Sequence, residues 1–371
     1  MTDREALLAT IIDRPNDDVA RLVYADYIEE QGDAERAELI RVQIELASNA
    51  ALSAEERDEL QAREDRLLQD RRTEWALKLS RGRQRFRRGF VEEIATSAES
   101  LLAYGDRLFH EMPVQDLRIV AADHLVSRIA TQLPGLGHVR TLDLSNNSFG
   151  GMGRLDWFLT SAILTRLESL ILRNNSIWDD SLRGLHGLPM PPRLRRLDLS
   201  GNPFGDTGIE AIAIHPEFRR LTHLIARCDE LPFHDSIHAL GASTLAASPV
   251  LRNLQWLDLE GHYIGDAGLA ALAASPVLNT VEYLNVTRNE IGEIGESGIQ
   301  ALVNSQQLHA LRQVYFQDNR ITAIAAEMLT NWPKLAELEY FDVRYCDFAP
   351  GAEEMLRASE YWEKFRLSEN E

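Results

Sequence analysis

Two hydrophobic periods divide the chain. Up to about residue 72 the apolar side chains recur at helical spacing: Val19, Leu22, Val23 and Ile28 follow Asp17 and Asp18, and Leu39, Ile40 and Ile44 share one face after Asp33. Thr2 with Glu5, and Ser53 with Glu56, have the spacing of capping boxes, and Gly32 stands where a helix can end in the left-handed conformation. A charged run from Ser53 to about Arg72 reads as a longer helix. From Phe90 onward the pattern is LxxLxLxxN. The second leucine position of successive units is Leu142, Leu170, Leu197, Leu224, Leu257, Leu284, Val314 and Phe341, at spacings of 28, 27, 27, 33, 27, 30 and 27. Leu117 and Ile94 begin two weaker units upstream. Leucines two apart, such as Leu197 and Leu199, project to the same side of a strand and enter a core. The residue three further on must satisfy backbone groups where the chain leaves the strand, which favours a side chain that both donates and accepts. That row is Asn147, Asn175, Asn202, Asp229, His262, Asn289, Asn319 and Cys346. Units of 27 or 28 residues leave room for a helix after each strand. The predicted class is α/β: a curved solenoid with a parallel sheet inside and helices outside, preceded by a small all-α region.

Two stretches carry resemblances. Residues 15–46, PNDDVARLVYADYIEEQGDAERAELIRVQIEL, resemble the bacterial repeat-companion domain, whose core order is matched by Arg21, Leu22, Tyr24, Ala25 and Asp26; Tyr27 stands where that family usually has tryptophan. The resemblance implies repeats downstream and no particular chemistry. The LxxLxLxxN units, with GDTGIEAIA from Gly205 and GDAGLAALA from Gly265, resemble leucine-rich repeats of the ribonuclease-inhibitor-like branch over about three quarters of the chain. The expected organisation is a helical domain over 1–72, a basic connector over 73–89, and a leucine-rich repeat solenoid with a C-terminal cap over 90–371.

Charge sharpens the first boundary. Residues 1–70 hold 19 acids against 8 bases, whereas residues 71–90 hold 8 bases against one acid. The run SRGRQRFRRGF, from Ser80 to Phe90, interleaves an aromatic ring with arginines and is a candidate nucleic-acid patch, but it lies between acidic segments in a chain of net charge -19, so internal pairing or solvation is the expected state. The acidic balance also disfavours an anionic membrane surface. The start lacks the order of a signal peptide, no apolar run approaches bilayer length, and Cys228 and Cys346 form no metal or redox pair, so a reducing, cytoplasmic location is expected.

Candidate chemistry is sparse. HDSIH, His234 to His238, places two histidines one helical turn apart, but no third ligand is identifiable and no metal is expected. No activating base stands beside either cysteine, and no phosphate-binding or dinucleotide-binding glycine pattern occurs, so neither catalysis nor a cofactor is expected. The period-two rule instead exposes three rows on the inner face, and these gather Trp256, Tyr283, Tyr315 and Tyr340 beside Asp258, Glu260, Asp342 and Arg344 on the C-terminal half. That mixture has the make-up of an interface hot spot, against the plainer reading that the rings pack on each other and shield the strands. The expected function is a non-catalytic protein-binding scaffold working through this concave face. The resemblance also admits an enzyme regulator, such as a GTPase-activating or ubiquitin-ligase-adaptor-like repeat protein. Neither the partner nor the oligomeric state is legible in the sequence.

Overall fold

The first four helices, Asp3–Asp13, Asp18–Glu30, Ala34–Ser48 and Ala54–Trp75, begin where side chains can satisfy the orphan N–H groups of a first turn. Thr2 and Glu5 close a reciprocal capping box, the Asp17 carboxylate accepts from the N–H groups of Val19 and Ala20, and that of Asp33 accepts from Arg36 N–H. Gly32, at φ +95°, ends the second helix. Ile11, Ala25, Ala37, Leu39 and Ile40 are fully buried and form the helical core. The computed structural model describes residues 2–75, 83–150, 159, 163–228 and 236–367. It comprises two compact units, Met1–Asn147 with Ser161–Leu167, and Ser148–Thr160 with Glu168–Glu371.

In the first unit a β-hairpin seats on these helices. Arg83–Arg87 pairs antiparallel with Phe90–Ser97 around Arg88 and Gly89, both at positive φ, the two-residue turn that matches strand twist. The stretch expected as a connector therefore contains a strand. Gly89 N–H donates to the Gln43 side chain at 2.6 Å. Arg21, wholly buried, donates to the carbonyls of Pro15 and Arg88, pairs with Glu92 at 2.6 Å, and lies over the Phe90 ring. Burial pulls the Arg21 guanidinium below its usual range and pushes the Glu92 carboxyl above its own, while their mutual attraction opposes both. Tyr24, its ring 5.4 Å from that of Phe90, completes the seat. Of the quoted motif, Arg21, Tyr24 and Ala25 are thus buried anchors, whereas Asp26 is exposed and pairs with Arg41. Phe90–Ser97 runs parallel to Asp116–Val120, which runs parallel to Thr141–Asp143, with Ile94, Leu117 and Leu142 in one register.

In the second unit the strands Ser169–Ile171, Arg196–Asp198, His223–Ile225, Trp256–Asp258, Tyr283–Asn285, Gln313–Tyr315 and Tyr340–Asp342 pair in parallel, in chain order. Leu170, Leu197, Leu224, Leu257, Leu284, Val314 and Phe341 share one register and are buried. A further strand, Phe365–Arg366, adds beside Tyr340–Asp342. Helices follow strands at Asp179–Arg183, Asp206–Ile214, Ala239–Ala246, Gly265–Ala273, Ser297–Val303, Ala323–Thr330 and Ala352–Arg357. The GD-x-G signature has a physical origin here. Asp206 Oδ1 accepts the N–H groups of His238 and Gly241 at the start of the next helix, at 2.7 and 2.9 Å; Asp266 Oδ1 accepts that of Gly298 in the first turn of the next helix at 2.9 Å, and its Oδ2 that of Gly292 in the loop before it at 3.0 Å. The aspartate of one unit therefore caps the next. The glycine of the GDTG stretch meets the same demand: Gly205 and Gly208 N–H donate to Asp179 Oδ1, each at 2.8 Å, and a Cβ on Gly208 would stand 2.6 Å from that oxygen, as one on Gly241 would stand 2.5 Å from Asp206 Oδ1.

Gly89→Ala places a Cβ 2.1 Å from Ile40 Cγ1 at φ +82°. The substitution should lower stability by about 2 to 4 kcal/mol, read as a shifted urea midpoint. An unchanged midpoint would mean that the turn is not seated on the helices.

Candidate functional site: the sheet face opposite the helices

The site is bounded by the row of residues that closes each unit. Asn202 Nδ2 donates to the carbonyls of Leu172 and Leu199 at 2.8 and 2.7 Å, and its Oδ1 accepts from Asn175 and Ile177 N–H at 2.8 and 3.1 Å. Asn319 repeats this between Val286, Phe316, Asn289 and Ile291, and Asn289 and Asn147 bridge neighbouring turns similarly. Asn175 is fully buried, its Nδ2 on the Arg173 carbonyl. His262 performs the asparagine's task with a ring: Nε2 meets the Ala226 carbonyl at 2.5 Å and Nδ1 accepts Ile237 N–H at 3.1 Å, which requires the neutral tautomer protonated at Nε2. Burial brings its pKa down to about 4. Cys346 donates Sγ–H to the Phe316 carbonyl at 3.3 Å, and burial pushes its thiol up to about 12 against a backbone hydrogen bond from Asn319. Asp229 lies outside the described residues.

The acidic row on the face is used internally, which corrects the expectation that Asp258 and Asp342 are exposed partner contacts. Asp198, Asp258 and Asp342 are all fully buried. One oxygen of each accepts the N–H two residues on, at Ser200, Glu260 and Arg344. The other oxygen is held by arginine: Arg173 on Asp198 at 2.6 Å, Arg227 on Asp258 at 2.8 Å, and Arg344 on Asp342 at 2.7 Å. Gln317 adds a further bond to Asp342. Glu260 is partly covered and pairs with Arg288 and Arg227. Burial raises the Asp258 carboxyl, and Arg227 opposes it. The arginine side chains stay partly exposed, at 48% for Arg173, 41% for Arg227 and 27% for Arg344.

The rings form a continuous ribbon. His223 stacks on Trp256 at 5.8 Å, Trp256 on Tyr283 at 3.3 Å and 8°, Tyr283 meets Tyr315 at 4.9 Å, and Tyr315 meets Tyr340 edge to face at 5.3 Å. The Tyr315 and Tyr340 hydroxyls bond each other, Tyr340 also donates to Gln313 at 3.1 Å, and the Arg366 guanidinium caps the series 3.6 Å above the Tyr340 ring. Strands about 4.8 Å apart put flat rings near stacking distance, so a ring with neighbours on both sides loses its solvent. Tyr283 is accordingly 5% exposed, which corrects the expectation of an open ring there; Trp256, Tyr315 and Tyr340 stay half-buried. Burial lifts the Tyr283 and Tyr340 phenols above their usual range. The Trp256 indole N–H has no acceptor among the described residues.

The other candidates do not assemble. Arg87 is bound to Glu93 and Asp116, Arg85 faces Glu93 and Arg88 pairs with Asp18, so three arginines of the basic run are paired in place; Arg81 lies outside the described residues. His234 lies outside the described residues. His238 stacks on Tyr263, and among the described residues no group of three or more His, Cys, Asp or Glu side chains could hold a metal.

Profiles described as Leucine Rich repeat match residues 192–213 and 250–273, and a second Leucine Rich Repeat profile matches 138–159. The chain carries leucine-rich repeats. No curated protein matches it in sequence. Among solved structures it is similar to an internalin from Listeria monocytogenes, 20% identical over 71% of this chain and 69% of that one, TM-score 0.44. It is also similar to a chain of the yeast Rad7–Elc1 complex, 13% identical over 93% and 90%, TM-score 0.34. The plant peptide hormone receptor RGFR1 in complex with RGF2 is 16% identical over 63% of this chain and 38% of that one, TM-score 0.29. No described helix is long and apolar enough to cross a membrane.

The row that closes the leucine-rich repeats makes two predictions. Asn202→Leu leaves buried backbone groups without partners and should lower stability by about 1 to 3 kcal/mol in urea melts; an unchanged midpoint would count against the row. For His262 the folded pKa is depressed, so its contribution is complete above the unfolded value near 6.5 and is lost as pH falls toward the folded value of about 4. Over that window the loss should amount to about 3 kcal/mol. His262→Asn should remove that part of the slope. Equal losses for both proteins between about pH 7 and about pH 4.5 would exclude a buried neutral imidazole.

Proposed function

We propose that the protein is a non-catalytic, cytoplasmic scaffold of the ribonuclease-inhibitor-like branch, with a bacterial repeat-companion domain at its front, and that it binds a protein partner through the aromatic ribbon on the concave face. The observation that carries this reading is the ribbon itself, five aromatic rings from His223 to Tyr340 on consecutive strands, closed by Arg366. Solenoids present extended surfaces, and tryptophan, tyrosine and arginine are the side chains that anchor interfaces. The accessible contacts are Trp256, Tyr315, Tyr340 and the outer faces of Arg227 and Arg344, with Tyr283 as their support.

Affinity capture of the partner from native cells, repeated with variants, tests the reading. Trp256→Ala and Tyr340→Ala should each weaken the captured complex by about thirtyfold, equivalent to about 2 kcal/mol, while the far-ultraviolet spectrum holds. Arg83→Glu with Arg85→Glu should leave capture intact. Normal capture by both aromatic variants, with loss in the charge-reversed protein, would move the interface to the basic hairpin.

A further inference from the structure

The first unit contains a cleft of about 1420 Å³ that has no part in the repeat face. Arg36 lines it and is 7% exposed, yet its guanidinium has no hydrogen bond or ion pair among the described residues, and its Nη1 is buried without an acceptor. Three rings surround it, with centroids 5.1 Å away for Trp75, 5.3 Å for Phe86 and 5.5 Å for Phe90. Ring faces attract a cation but offer its N–H edge no lone pair. The contrast lies within the same unit: Arg21, equally deep, has Glu92 and backbone carbonyls on its guanidinium. Arg21 shows what a buried arginine looks like when the fold completes it; Arg36 is left incomplete.

The charges around the cleft point the same way. Arg4 also lines it, held only by a 3.4 Å bond to the Tyr24 hydroxyl, and it is close enough to Arg36 to repel it. The acids at the rim are already committed. Glu5 accepts Thr2 N–H, Asp33 caps the third helix through Arg36 N–H, Glu111 holds Arg107 at 2.7 Å, and Asp106 faces His110. Arg36 is thus buried without an ion pair among the described residues, Asp33 acting on it only from a distance, and the exposed Arg4 stands near it with Glu111 as a distant counter-charge, in a cleft whose other walls include Leu8, Ile12, Phe109 and Met112. A buried charge without a partner is strongly unfavourable, and a planar guanidinium matches a carboxylate edge to edge. The four rim carboxylates disfavour a phosphate dianion, and the apolar walls require a ligand with a body as well as a charge.

We propose that this cleft binds an organic monocarboxylate with an aromatic or aliphatic body, Arg36 and Arg4 holding the carboxylate and the surrounding rings and aliphatic side chains holding the body. Isothermal titration and thermal melts of the full chain with phenylbutyrate, its uncharged amide and inorganic phosphate decide the matter. Phenylbutyrate should bind at least about tenfold more tightly than the amide, phosphate should not bind, and Arg36→Met and Arg4→Ala should each weaken the carboxylate by about tenfold or more. Ligand-free Arg36→Met should melt no lower than the parent, because the substitution removes an uncompensated charge and keeps the packing. The proposal is overturned by absent phenylbutyrate binding at millimolar concentration, equal affinity for acid and amide, preference for phosphate, or a lowered melting temperature in ligand-free Arg36→Met.

Discussion

Each unit must turn its chain out of a buried strand without orphaning the backbone there. An unpaired N–H or C=O in that position would cost about 1 to 3 kcal/mol, repeated at every coil. The asparagine row removes the cost with one side chain per unit. Because Asn202 bonds carbonyls in its own unit and in the one before, it also ties consecutive coils together and fixes their register. The other unit-to-unit bonds follow from that register. Asp206 and Asp266 reach the next helix start, and Ser248 and Ser275 each donate to a carbonyl of the preceding helix, Ala213 and Ala246, at 2.5 and 2.6 Å. His262 shows what the constraint demands: any side chain will serve if it presents a donor and an acceptor at the right separation and stays neutral.

The same register governs the opposite face. In-phase strands align equivalent positions in rows: His223, Trp256 and Tyr283 stand side by side in one, and in the next Asp198, Asp258 and Asp342 are separated by Ile225, Asn285 and Tyr315. Each of these carboxylates is fully buried, and the arginines two positions along the strands offset that cost by pairing with Asp198, Asp258 and Asp342 individually. The aligned rings attract one another and close into a ribbon. The face thereby carries a ribbon of rings that crosses to the neighbouring row at Tyr315, beside carboxylates already paired with arginine, so its chemistry for a partner lies in rings and guanidiniums rather than in open carboxylates.

Much of this was written in the leucines. A strict period reveals in-register strands because every coil repeats one steric problem, and even Ile94 and Leu117, without the asparagine, fell into line with Leu142. The strand at Phe365–Arg366 escaped notice because it comes 24 residues after Phe341 and lacks the motif. The side to which Tyr283 points was legible; its burial was not, because a period says where a side chain projects and not what leans on it. Tyr315 belongs to the neighbouring row, opposite Asn285 and Asp342, and covers Tyr283 only by tilting across. Arg36 was illegible for the same reason: on the helical pattern it is one more polar residue, and only the assembled rings make it a buried cation.

The basic run also takes its meaning from position in a sheet. A strand at the end of a sheet exposes backbone groups that invite another chain, and proteins protect such strands with charge and short length. Arg83–Arg87 is such an end strand, five residues long, with Arg83 and Arg85 exposed on alternate positions and Gln84 and Phe86 turned inward. Its partner strand supplies Glu93 to Arg85 and Arg87, and Asp116 on the next strand holds Arg87. The concentration of arginines is thus explained by the need to end a parallel sheet: the charge that discourages a further strand is balanced from the strands it covers. Arg21 then fastens the whole hairpin from behind by holding Glu92, on the other side of the strand from Glu93.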